Sequence, residues 1–153
     1  MRFPALLEPR WPLRAVLIGW PVTTIPALLL SALVSALLPQ AAGPQFGAIG
    51  MEMFVRLVVI APLIETLIMA AAIEIMLLVL PPRFVVIASS VGWGIAHSYI
   101  AVAWGLVIWW PFLIFSTLYV TWRGQGRAIA IGIVFAVHAL NNLGPALLLM
   151  GSA

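Results

Sequence analysis

From Phe84 to Trp122 the chain runs for about 39 residues without a single formal charge. As one α-helix that stretch would be roughly 60 Å long, twice the roughly 30 Å hydrocarbon core of a bilayer. It has to turn back on itself, and the turn is expected between Ser98 and Gly105. Three further apolar blocks, Leu13–Leu38, Phe54–Leu80 and Ala128–Met150, are each long enough for one span. The fold expected is therefore all-α: a polytopic transmembrane helix bundle of about five spans, N-terminus inside, forming one domain over residues 1–153.

Composition supports lipid as the main solvent. Hydrophobic residues make up 65% of the chain and charged residues only 7%, too few to cover a soluble domain of this size. The net charge of +3 comes from arginines scattered along the chain. They form no basic stripe, which argues against nucleic acid. With five spans, Arg2, Arg10, Arg14, Arg83, Arg123 and Arg127 fall on the inner side and Arg56 alone on the outer side. Four spans would move Arg123 and Arg127 outside and spoil that bias, so the positive-inside rule favours five. The chain contains no Cys, which removes disulfides, thiol nucleophiles and thiolate metal sites.

The first block, about 26 residues with Arg2, Arg10 and Arg14 before it, far exceeds the roughly 7–15 apolar residues of a signal peptide. It is expected to be a retained span, bent at Pro21 and Pro26. Pro39–Gly50 reads as the one long loop. Pro81-Pro82-Arg83 and Arg123-Gly124-Gln125-Gly126-Arg127 read as sharp turns.

Against this background four polar residues stand out. Glu65 sits near the middle of the second block in a chain with four Glu and no Asp. An ionisable group at that depth costs a few kcal/mol, and it is a functional-site hypothesis by default. At about 1.5 Å per residue from the inner helix ends, Glu65 lies roughly 22 Å up, His97 roughly 20 Å, His138 roughly 15 Å and Asn142 roughly 21 Å. Three helices thus bring one acid, two imidazoles and a carboxamide to one layer. His138 and Asn142, spaced i, i+4, share a helix face, as do Trp93 and His97.

Plainer readings stand beside this one. Glu65 alone equally marks interhelical glue or a proton-relay carboxylate, and a lone His in an apolar helix is more often packing than catalysis. Glu52 and Arg56 read as an interfacial ion pair, Glu8 as solvated among its arginine neighbours, and Trp104 to Trp110 as lipid-facing or interface anchors. Glu74, nine residues after Glu65, points about 180° away; it is expected to pair with Arg83 or to line a second polar contact. Paired-aspartate proteolysis is impossible without Asp, H-E-x-x-H is absent, and no Ser has a Gly-flanked nucleophile pattern. Glu and His acting on water remain.

These residues resemble the motifs of the CPBP (CAAX protease and bacteriocin-processing, or Abi) intramembrane proteases, which belong with the CAAX prenyl endopeptidases. The family's E-E-x-x-x-R motif is similar to Glu65-Thr66-Leu67-Ile68-Met69-Ala70, preceded by Ala61-Pro62-Leu63-Ile64. Its F-x-x-x-H motif resembles Trp93-Gly94-Ile95-Ala96-His97, and its H-x-x-x-N motif resembles His138-Ala139-Leu140-Asn141-Asn142. The likeness covers roughly residues 55–142. Thr66 stands in place of the second Glu and Ala70 in place of Arg.

The resemblance implies an endopeptidase in which Glu65 activates a water with help from His97, while His138 and Asn142 stabilise the oxyanion. It implies membrane lipid and a membrane-associated peptide or protein substrate as partners, in a prokaryotic inner membrane. Glu65, His97 and His138 could instead bind zinc, but a zinc protease needs a further carboxylate as base, so metal-free glutamate chemistry is the expectation. Thr66 and Ala70 also suit a catalytically inactive interaction or immunity module. A small proton-coupled transporter using Glu65 is a third reading.

Overall fold

The computed structural model describes residues 8–41, 43–44 and 50–151; Arg2 and half of the Pro39–Gly50 loop lie outside them. All regular structure among these residues is helical. Helix α1 spans Pro12–Leu37, and Pro12 occupies its first turn, where a missing N–H costs nothing. The helix continues through Pro21 and Pro26. Pro26 cannot donate to the carbonyl of Val22, four residues back; the indole Nε1 of Trp110 donates to it instead, at 3.1 Å. The buried residues of α1 are Ala15, Gly19 and Thr23. This small-residue stripe lets it lie close to its neighbours.

Helix α2 runs from Met51 to Met76 and contains a π-helical turn at Arg56–Ile60. There the N–H of Ala61 reaches back five residues to the carbonyl of Arg56. In the same register the next donor would be Pro62, which has no N–H, and the next acceptor is the carbonyl of Leu57. Beyond the π turn the buried residues Pro62, Thr66, Met69, Ala70 and Ile73 form one helical stripe. Glu52 and Arg56 form the expected ion pair, at 2.7 Å.

Helices α3 (Pro82–Ser98) and α4 (Val102–Trp122) are joined by Tyr99–Ala101, so the long uncharged stretch turns back inside the expected window. They form an antiparallel hairpin. Ser116 donates to Ser89 at 2.9 Å near its base, and Gly105 packs on Gly94 and Ser98 near the turn. A Cβ at Gly105 would run into the Gly94 carbonyl oxygen and the Ser98 side chain. A short 3-10 turn, Arg123–Gln125, and Gly126 at φ 140° lead into α5, Arg127–Gly151.

Helix α4 is the centre of the bundle. Its buried Phe112, Phe115, Leu118, Tyr119 and Trp122 pack with Met69, Ala70 and Ile73 of α2, Val85 of α3, and Ile133, Val134 and Val137 of α5. The outward faces are as apolar as the core, with Leu29, Ile68, Leu78 and Leu148 all exposed. That pattern suits a lipid surround and not water. Four helices (α1, α2, α4 with its 3-10 extension, and α5) are long and apolar enough to cross a membrane, consistent with an integral membrane protein. The remaining helix, α3, has 17 residues.

Glu74 does not pair with Arg83. Its Oε1 accepts from Tyr119 at 3.1 Å and from Arg123 Nε at 2.8 Å; its Oε2 accepts from Arg123 Nη2 at 3.0 Å and Arg127 Nη2 at 2.9 Å. One carboxylate thereby ties the end of α2 to the end of α4 and the start of α5. Arg83 lies over the ring of Phe84.

Candidate functional site

Glu65 of α2, His97 of α3, and His138 and Asn142 of α5 all line one cavity of about 410 Å³. Each reaches it for a local reason. Glu65 immediately precedes the buried Thr66, and its side chain is 27% exposed, at the margin of the packed stripe. The carboxylate Oε2 lies 3.6 Å from Nε2 of His138. This is a close approach, longer than a formed hydrogen bond.

The two imidazoles are held by aromatic rings. Phe112 sits between them, its centroid 5.8 Å from that of His97 and 5.5 Å from that of His138. Trp93 stacks on Phe112, Trp104 meets His97 edge-on at 4.7 Å, and Phe115 lies against His138 at 4.5 Å. His97 Nδ1 is 2.9 Å from the carbonyl of Trp93. A carbonyl only accepts, so Nδ1 carries the proton and the neutral ring keeps Nε2 as an acceptor. His138 is buried, and its Nδ1 has no hydrogen-bond partner among the described residues; the same holds for Thr66 Oγ1.

Asn142 donates through Nδ2 to the carbonyl of Leu57 at 3.1 Å, the acceptor that Pro62 leaves open in the π turn. Its Oδ1 accepts from Asn141 at 3.4 Å, and Asn141 Oδ1 accepts from Thr24 at 3.1 Å. A polar relay thus runs from α1 through α5 to α2. Among the described residues, the backbones of helices α1 and α2 do not come close to each other. The cavity occupies the space between them, walled by Thr24, Leu28, Ser31 and Ser35 on one side and Leu57, Ala61 and Glu65 on the other.

Sequence reasoning missed Asn141 and Thr24. Asn141 precedes an Asn already assigned to a motif, which was the available signal. The Trp-rich segment also differs from expectation: Trp109 is exposed, but Trp104 lies against His97 and Trp110 bonds to α1. Thr66 and Ala70, where the resembling motif has Glu and Arg, are buried in the packed stripe and do not line the cavity. Among the described residues no three His or Glu side chains stand already grouped as metal ligands. The chain matches no family model, no curated protein and no solved structure.

Proposed function

We propose that the chain is a five-span intramembrane endopeptidase of a prokaryotic inner membrane, N-terminus inside, cutting a membrane-associated peptide or protein. The observation that carries this reading is the Glu65–His138 pair, 3.6 Å apart on the wall of a cavity that His97 also lines. Helix α3 contributes the fifth span: its 17 residues rise about 26 Å, and its antiparallel hairpin with the longer α4 carries it across.

Glu65 takes a proton from a water held in the cavity, with the unprotonated Nε2 of His97 as its second acceptor. The resulting hydroxide adds to the scissile carbonyl carbon. His138 and the second N–H of Asn142 donate to the developing oxyanion, where a water-poor, preorganised setting makes such donors most effective. The protonated Glu65 then returns its proton to the leaving amine as the peptide bond breaks. The chemistry is metal-free: Glu65 is the carboxylate that lines the cavity and it serves as the base, leaving none over for the separate base that a zinc protease needs.

Glu65→Ala, His97→Ala and His138→Ala are each expected to abolish cleavage while leaving membrane insertion intact. Full activity in Glu65→Ala would remove the base assignment. One observation favours a second reading, a non-catalytic module of the same fold: Thr66 and Ala70 sit in the core where the resembling motif carries Glu and Arg. An active parent chain rules against it.

A further inference from the structure

We propose that Asn142 is a positioning residue: its bond to the Leu57 carbonyl fixes the rotation of α2 that turns Glu65 toward His138. The inference rests on the reading of Glu65 as the reacting carboxylate, and it gives Asn142 a task beyond contact with substrate.

The phase of α2 carries the argument. Leu57 and Glu65 are eight residues apart, which in an unbroken α-helix sets them roughly 80° apart around the axis. The π turn at Arg56–Ile60 absorbs one extra residue, so eight positions behave as about two full turns and the two groups fall within roughly 20° of each other. On α5, His138 and Asn142 share a face. The two helices therefore meet at two points on matching faces, Leu57 with Asn142 and Glu65 with His138. The first is a formed hydrogen bond at 3.1 Å; the second is a looser 3.6 Å approach. The formed bond holds the register, and the looser pair is left free to react.

Pro62 is what reserves the Leu57 carbonyl for Asn142. It supplies no N–H in the π register, and an unpaired carbonyl in an apolar setting is costly. Without a donor from α5 the turn would have to shift, and Glu65 would swing with it.

The test uses the full chain in lipid nanodiscs with nitrogen-15 histidine, which is clean because the protein has two histidines. Glu65→Gln marks the His138 ring signals that sense the carboxylate. In Asn142→Leu those signals are expected to move to their Glu65→Gln positions, with no further shift on adding Glu65→Gln. Adding Pro62→Ala to Asn142→Leu gives Leu57 a backbone donor and is expected to return the signals at least halfway. Unmoved His138 signals in Asn142→Leu would overturn the proposal, as would failure of Pro62→Ala to restore them.

If Asn142→Leu does not insert, Pro62→Ala alone decides. The backbone N–H that this substitution introduces competes for Leu57, and the Asn142 side-chain amide proton is expected to move upfield; an unchanged shift overturns the proposal. Cleavage of a membrane-tethered apolar peptide library is scored on the parent chain in the same nanodiscs. A parent that cuts nothing removes the hydrolase reading and leaves the ring signals to decide the positioning.

Discussion

The indole of Trp110 donates to the carbonyl of Val22 at 3.1 Å, joining α4 to α1 at the carbonyl that Pro26 strips of its ladder partner. The bond is a direct substitute for the one proline removes. Trp110→Phe is therefore expected to destabilise the bundle by about 1 kcal/mol, a typical net value for one hydrogen bond. In a Pro26→Ala background, where the introduced backbone N–H serves Val22 itself, the same substitution should cost markedly less. Thermal unfolding of the four chains in one detergent measures the coupling.

Glu74 accepts four hydrogen bonds from three residues, on α4, the 3-10 turn after it and α5, and only 21% of its side chain is exposed. Glu74→Ala leaves two arginines and a tyrosine without their acceptor and is expected to cost about 2–3 kcal/mol. Arg127, 70% exposed, contributes less: Arg127→Ala should cost under about 1 kcal/mol. Equal losses from the two substitutions, read by unfolding in detergent, would contradict a carboxylate-centred staple.

Gly105 is where the α3–α4 hairpin is tightest. Gly105→Ala forces a methyl against the Gly94 carbonyl and the Ser98 side chain, so a loss of at least about 2 kcal/mol is expected from overpacking. Gly92, whose added Cβ would meet nothing within 4 Å, is the control. Gly92→Ala should be neutral or stabilising by up to about 1 kcal/mol through helix propensity.

Ala70 is 3% exposed and Thr66 is fully buried. Ala70→Arg alone places an unpaired charge in packed core and is expected to cost more than about 3 kcal/mol. Adding Thr66→Glu, one turn earlier, should recover part of that loss. If the recovered double variant also gains cleavage from a silent parent, the chain is a lapsed enzyme. Little change from an active parent shows a working motif without the second carboxylate.

His97→Gln removes the ring whose Nδ1 is held by the carbonyl of Trp93, leaving Nε2 as the acceptor nitrogen. A drop in kcat of about 100-fold or more is expected, in the range of a lost acid–base group, with KM little changed. A rise in KM at unchanged kcat would assign His97 to binding instead.

Much of the fold was legible because lipid imposes simple rules. A charge-free stretch too long for one span has to turn, and Tyr99–Ala101 is that turn. Depth counting along helices placed Glu65, His97, His138 and Asn142 in one layer, and one cavity now touches all four. What counting could not supply was rotation and neighbour identity. The partners of Glu74 lie 45 to 53 residues away on other helices, and no local pattern names them. The inward faces of Trp104 and Trp110 were hidden because α4 is apolar on every side, so periodicity marks no buried stripe. Nor does sequence spacing reveal the π turn, which changes which side chains share a face without changing their count.

Two ties that bind the helices, Trp110 to Val22 and Asn142 to Leu57, end on main-chain oxygen. Any amino acid at positions 22 and 57 would offer that oxygen equally well. What addresses it is an imino acid four or five places downstream. Evolutionary drift at the receiving residues should therefore go unpunished, while loss of Pro26 or Pro62 would reroute the contacts with every donor side chain still in place.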